Sequence, residues 1–258
     1  MREESYVRQN AAAWDSINEC LTDKATAISH EAFLAAKNGA LNIVPAGVRS
    51  VPREWFPDLA GLDLLALASG GGQQGPIFAA HGARVTVTDV SASQLASERM
   101  VAEREGYDIR VVEADMSQPF PFEDASFDLI FNPVSNCYIR DIRPMQRECA
   151  RVLRPGGILI TAFCKEELFL FEPDFQREDA LISRHPLPFD PLRDLTDEQR
   201  QRKLDSRMPL AFSHTLTEQL GGLMQAGFEL TDLFEDGDGG GLIDRWMRAY
   251  VVVRAVKK

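Results

Sequence analysis

LASGGGQQG, residues 67–75, is the stretch on which the fold turns. Gly70, Gly72 and Gly75 satisfy G-x-G-x-x-G, the spacing of a dinucleotide-binding turn, where glycines let a pyrophosphate approach a helix N-terminus. Three glycines alone are a weak signal, so their flanks decide. Ahead of them, LDLLALA (62–68) is a nearly continuous apolar run bounded by glycine, the pattern of a strand buried on both faces. Behind them, PIFAAHG (76–82) reads as a short helix that Gly82 ends. This puts Gly75 inside the helix rather than on the turn.

Moving outward, ARVTVTDV (83–90) alternates as a second strand, with Asp89 near its end. Ser91 opens the next helix, with Gln94 three residues on as a capping-box partner, and Gly106 closes it. DIRVVEAD (108–115), SFDLIFN (126–132) and ILITAF (158–163) follow as strands. Asp141 is expected to cap the helix between the last two, and Pro155-Gly156-Gly157 to stop it. A helix from Thr215 to Gly227 with a Thr215/Glu218 capping box, then FELTDLF (228–234) and RAYVVVRAV (248–256), complete the alternation. The last two strands are joined only by a loop and can pair antiparallel. Alternating strands and helices predict an α/β fold with a mostly parallel sheet covered on both faces.

The chain divides into a helical N-terminal cap (1–60), a core (61–164), a proline-rich insertion (165–212) and a C-terminal part of the sheet (213–258). In the cap, Tyr6, Ala13, Trp14 and Ile17 recur at helical spacing, and Ser29 opens a second helix stopped by Asn38-Gly39. The insertion is too long for a plain connection and is expected to fold over the site as a lid. The 258 residues carry a formal net charge of −11, which makes nucleic acid a poor partner. No apolar run is long enough to span a membrane. The four cysteines, Cys20, Cys137, Cys149 and Cys164, form no C-x-x-C pair and suit free thiols in a reducing cytoplasm, with no metal site. Oligomeric state is not encoded in any of these patterns.

Several motifs in order resemble the class I S-adenosylmethionine-dependent methyltransferases, a Rossmann-like fold with a seven-stranded doubly wound sheet and an antiparallel last strand. LALASGGGQQG is similar to their first motif, VTVTDVS to the second and VVEADM to the third. SFDLIFNPVSN, RVLRPGGILI and GFELTDLFED resemble the later strands, and NAAAWDSI the opening helix of small-molecule methyltransferases. The ASGGGQQG and NPVSNCY stretches are similar to a largely uncharacterised bacterial branch. The family's first motif reads D/E-x-G-x-G-x-G. Here Ala66 stands at its acid and Ala68 at its first glycine, and Gln73 and Gln74 are the expected replacements for the missing contacts.

The resemblance implies S-adenosyl-L-methionine as donor and S-adenosyl-L-homocysteine as product. It places the donor against Ala68, Ser69, Gly70, Gly72, Gln73 and Gln74. Asp89 and Val90 meet the ribose, with Gln94 as either a second ribose contact or a cap. Ala114, Asp115 and Met116 meet the adenine, and Asn132 and Pro133 the methyl end. His214 is the candidate general base, and Asn132 or Asn136 would orient a nucleophile. Trp14, Lys37, Asn136 and Tyr138 are expected to wall the pocket of a small-molecule acceptor. Two alternatives stay open: an S-adenosylmethionine-binding sensor or regulator without transfer activity, and a nicotinamide-dependent dehydrogenase, since Asp89 suits either cofactor.

Overall fold

The computed structural model describes residues 3–19, 26–171 and 180–258. In chain order its sheet strands are β1 (Asp63–Leu67), β2 (Arg84–Asp89), β3 (Arg110–Glu113), β4 (Phe127–Asn132), β5 (Leu153–Cys164), β6 (Phe228–Asp236) and β7 (Tyr250–Lys257). They form one sheet ordered β3-β2-β1-β4-β5-β7-β6. The strands from β3 through β5 run parallel, and β7 is antiparallel to both its neighbours. The expected seven-stranded doubly wound sheet with an antiparallel last strand is therefore present.

The helices are α1 (Glu3–Glu19), α2 (His30–Lys37), α3 (Gln74–Ala80), α4 (Ala92–Glu105), α5 (Arg143–Val152), α6 (Pro191–Asp194), α7 (Asp197–Asp205) and α8 (Gly222–Gln225). β1 shows why this sheet carries helices on both faces. Successive strand residues point to opposite sides. Leu65 and Leu67 join one core with Ile130, Met145, Cys149 and Leu223, whereas Leu64 and Ala66 join the other with Phe78, Leu95, Leu129 and Phe131. Each fully buried leucine or phenylalanine stabilises the fold by roughly 1.5–3 kcal/mol.

The punctuation works as expected at several ends. The Ser29 hydroxyl accepts from Ala32 N–H at 3.2 Å, and α2 gives way to Gly39 at φ +99°. α4 ends on Gly106 in the left-handed region, φ +70°. Thr215 and Glu218 make their reciprocal box, with side chain to backbone at 3.2 Å in one direction and 3.0 Å in the other.

Three local expectations are corrected. Ile142, not Asp141, occupies the cap of α5; Asp141 Oδ1 accepts from Arg143 N–H at 3.1 Å, because Pro144 in the first turn has no N–H to give. Pro155-Gly156-Gly157 lies inside β5 rather than ending a helix, and the register with β4 shifts there, between Phe127 and Leu129. The helix after Thr215 is wound as a π-turn over Thr217–Gly221 before α8. Gly222 there lets Gln146 come close, since a Cβ would lie 2.1 Å from Gln146 Oε1.

α1 crosses the carboxyl end of the sheet and is fastened from the far end of the chain. Asn10 Nδ2 donates to Leu210 O at 2.9 Å and its Oδ1 accepts from Leu210 N–H at 2.7 Å. Tyr6 packs edge-on against Phe212 at 5.1 Å. Among the described residues no helix is long and apolar enough to cross a membrane.

Candidate active site

The chain leaves β1 through Ala68 at φ +47°, a left-handed conformation that costs a residue with a Cβ roughly 1–2 kcal/mol. This is the position where the family motif has its first glycine, and the backbone keeps the glycine's shape without the glycine. Three consecutive N–H groups follow. Gly70 donates to Asp89 Oδ2 at 3.0 Å, Gly71 to Gln94 O at 2.9 Å and Gly72 to Glu98 Oε1 at 2.6 Å. All three turn toward β2 and α4, and two of the acceptors are carboxyl groups. A pyrophosphate would find these donors spent and acidic oxygens beside them, which removes the physical basis of the dinucleotide reading.

The glycines serve this close approach. A Cβ on Gly70 would lie 2.7 Å from Gln94 Cβ, and one on Gly71 2.6 Å from Gln94 Oε1. Gly75 does lie within α3 as expected, and its reason is packing: a Cβ there would sit 2.8 Å from Glu98 Oε2.

Two carboxyls, the half-buried Asp89 and the fully buried Glu98, therefore hold the loop. Asp89 Oδ1 accepts from Ser91 N–H at 3.0 Å while Oδ2 holds Gly70. Burial pushes the Asp89 carboxyl above the usual carboxylate range against these backbone bonds, and Asp15 pushes the same way. Glu98 is fully buried, and its Oε2 has no hydrogen-bond partner. Burial, aided by the Asp89 charge, pushes Glu98 up to about 8, so it is a neutral acid at neutral pH. Sequence reading missed Glu98. The available signal was its place four residues after Gln94 and three before Val101, on the buried face of α4.

Gln94 makes half of the expected box. Its N–H donates to Ser91 Oγ at 3.2 Å, but Asp89 already takes the Ser91 N–H. The freed Gln94 amide instead reaches Trp14 O at 3.4 Å. Ser91 Oγ donates to Asp15 Oδ1 at 2.6 Å, so the start of α4 also seats α1.

These elements enclose a cavity of about 760 Å³ at the carboxyl edge of the sheet. Its floor is Ala68, Ser69, Gly70, Gln73 and Gln74. Gln74 accepts from Ser69 Oγ at 3.0 Å and donates to Val44 O at 3.3 Å; Gln73 donates to Thr26 O at 3.3 Å. One side is Asp89, Val90 and Gln94, then Ala114, Asp115 and Met116. Asp115 uses one oxygen on Ser117 N–H at 2.8 Å. Across from them stand Pro133 and an edge-on pair, Trp14 and Tyr138, 5.4 Å apart.

Five expected residues lie off the cavity wall. Gly72 faces α4. Asn132 is fully buried and spent as a brace: it donates to Leu67 O at 3.0 Å and Ser135 Oγ at 2.8 Å and accepts from Thr161 Oγ1 at 2.9 Å. It thereby clamps β1, β4 and β5 together, with both amide protons spent and its side chain off the cavity wall. Asn136 donates to Gln219 Oε1 at 2.8 Å, away from the cavity. His214 is buried, with Nε2 on Ile139 O at 3.0 Å and Asn136 O at 3.3 Å. Burial lowers its pKa, and this neutral imidazole is a donor to backbone rather than a base facing a substrate. Lys37 is exposed, its ammonium 5.6 Å from the Phe33 ring centroid. The insertion contributes Leu168 and Phe169 to the wall, while Asn10, Cys137, Asp238 and Tyr250 are wall residues from other segments that sequence patterns did not point to.

The comparisons with known proteins agree with this geometry. Residues 65–161, from β1 to within β5, match the family model described as a methyltransferase domain. The chain is 38% identical to the uncharacterized methyltransferase YbaJ of Bacillus subtilis (strain 168) over 98% of its own length and 99% of that protein's. Among solved structures, an S-adenosylmethionine-dependent methyltransferase of Mesorhizobium loti superposes with a TM-score of 0.58 at 21% identity, covering 80% of this chain and 95% of that one. The [4+2]-cyclase SpnF superposes at 0.56 and 18% identity, covering 88% and 92%. At such identities the structures share the fold, and a fold hosts more than one reaction. The full-length relative and the matched domain decide the family: this chain belongs to the class I S-adenosylmethionine-dependent methyltransferases.

Proposed function

We propose that the enzyme transfers the sulfonium methyl of S-adenosylmethionine, by in-line displacement, to a small molecule held in the same cavity. The observation that carries this is the continuity of one space from the Gly70–Asp89–Asp115 wall to the Trp14–Tyr138 pair. At about 760 Å³ it lies in the upper part of the roughly 300–1,000 Å³ range of small-molecule sites, which leaves room for a small acceptor beside the donor.

In this reading Asp89 accepts the ribose hydroxyls and Asp115 the adenine amino group, with Met116 on the ring. Gln73 and Gln74 stand where the methionine end needs polar partners in place of the missing acid. A sulfonium is already a good leaving group, so alignment and exclusion of water are the protein's main contributions. α1 and the segment ending at Phe212 cover the sheet edge and supply that exclusion. The same cover, with the net charge of −11, disfavours a nucleic-acid acceptor.

The test is a methyl-release assay against a metabolite panel, with calorimetry for S-adenosylhomocysteine. Binding with turnover of at least one small molecule is expected. Tight binding without turnover on any small molecule would favour the reading without transfer activity. A Gln73→Ala/Gln74→Ala double variant is expected to weaken binding, and unchanged affinity would remove these two residues from the donor site.

A further inference from the structure

Resting on that reading, we infer that the acceptor is a flat, largely apolar molecule whose polar end is a non-anionic hydrogen-bond donor, an amine or hydroxyl, selected by Asp238 with Tyr250. The half of the cavity beyond the donor wall is apolar: Val7, Trp14, Tyr138, Ile139, Leu168 and Phe169. Three of these are aromatic and come from three separate segments, so a planar body meets ring faces and edges on several sides. The two thiols on the wall, Cys137 and Cys164, touch each other, and that contact together with burial pushes Cys137 far up, so Cys137 brings no charge.

Among the described residues, the charges that reach the cavity are carboxylates. Asp89 and Asp115 belong to the donor wall, which leaves Asp238 as the third. Among the described residues no lysine, arginine or histidine lines the cavity, and no cation pairs with Asp238. Asp238 is held in place rather than free to swing. Its N–H donates to Asp244 Oδ1 at 2.8 Å, and Asp244 also accepts from Gly240 N–H at 2.6 Å, which pins the loop. Tyr250, at the start of β7, donates its hydroxyl to Asp238 Oδ1 at 3.2 Å. The other carboxylate oxygen and the outer lone pair of the tyrosine oxygen accept; neither offers a donor to a carboxylate or phosphate.

The experiment uses the full chain saturated with S-adenosylhomocysteine and titrated with three indoles that differ only at the end of a two-carbon arm: tryptamine, tryptophol and indole-3-propionate. The expected order places tryptamine and tryptophol ahead of indole-3-propionate by about fivefold or more, the scale of one solvent-exposed carboxylate about 4 Å away. Asp238→Asn should bring tryptamine and indole-3-propionate to within about threefold, and Asp238→Lys should reverse their order, as expected for single charge steps. Each variant is first titrated with S-adenosylhomocysteine, which reports folding and loading. Failure to saturate the wild-type protein with S-adenosylhomocysteine counts against the methyltransferase site itself. Saturation followed by indole-3-propionate binding as tightly as tryptamine, by an order indifferent to Asp238, or by no indole binding at all overturns the acceptor inference alone.

Discussion

Glu98→Gln is the substitution that isolates how the glycine loop is held. The wild-type carboxyl is fully buried, bonded to Gly72 N–H at 2.6 Å, and shifted from its ordinary 4.5 to about 8. Between those two values the folded protein keeps a proton that the unfolded chain has lost. Stability therefore falls as pH rises through this window; the penalty is absent below the lower value and complete above the upper one. At about 1.4 kcal/mol per pH unit for one proton, the window amounts to roughly 5 kcal/mol. Glutamine keeps the shape and the oxygen that accepts from Gly72 but cannot ionise. Urea unfolding between about pH 5 and pH 9 should show the variant gaining on the wild type by several kcal/mol toward the alkaline end. Asp89 contributes a slope of the same sign to both proteins, so the difference isolates the titration of Glu98 together with its coupling to the Asp89 charge. Glu98→Ala should instead lose about 2–4 kcal/mol at neutral pH, from the orphaned Gly72 N–H and the void. Parallel pH curves for wild type and Glu98→Gln would refute the neutral buried acid.

Three further outcomes follow from single positions. Ala68→Gly relieves a left-handed φ at a cost in unfolded-state entropy, for a net gain of about 0.5–1 kcal/mol in denaturant unfolding. Gly75→Ala drives a Cβ to 2.8 Å from Glu98 Oε2 and should cost about 1–3 kcal/mol; combined with Glu98→Ala, the two costs should be markedly less than additive in a double-mutant cycle. His214→Gln should lower stability by about 1–2 kcal/mol and leave S-adenosylhomocysteine affinity unchanged, since the ring serves backbone carbonyls off the cavity.

The sheet was legible because each strand announced itself locally. LDLLALA and SFDLIFN are buried on both faces, and Ser29, Ser91 and Gly106 punctuate helices through their own backbone and side-chain chemistry. One wall of the cavity was legible because it is made of strand ends and the residues just after them, where position along the chain fixes position in the fold. The rest depends on direction and on distant partners. Asn132 ends β4, but whether its amide faces the cavity or its neighbours is settled by Leu67, Ser135 and Thr161. His214 lies next to a helix start, yet its ring is captured by carbonyls about 75 residues away in sequence. Glu98 went unmarked in the sequence because its burial depends on Gly72 and Gly75, which meet it across the fold. The fingerprint in 67–75 misled for the same reason, since the purpose of its third glycine lies across the fold.

In the proposed function, Asp89 and the glycine loop form an adenosyl site rather than a dinucleotide site. Isothermal titration with S-adenosylhomocysteine and with NADH, on wild type and Asp89→Asn, tests this most directly. The prediction is one S-adenosylhomocysteine per chain in the wild type, an affinity lower by about tenfold or more in Asp89→Asn, and no heat with NADH. Saturable binding of NADH, or S-adenosylhomocysteine binding indifferent to Asp89, would contradict it.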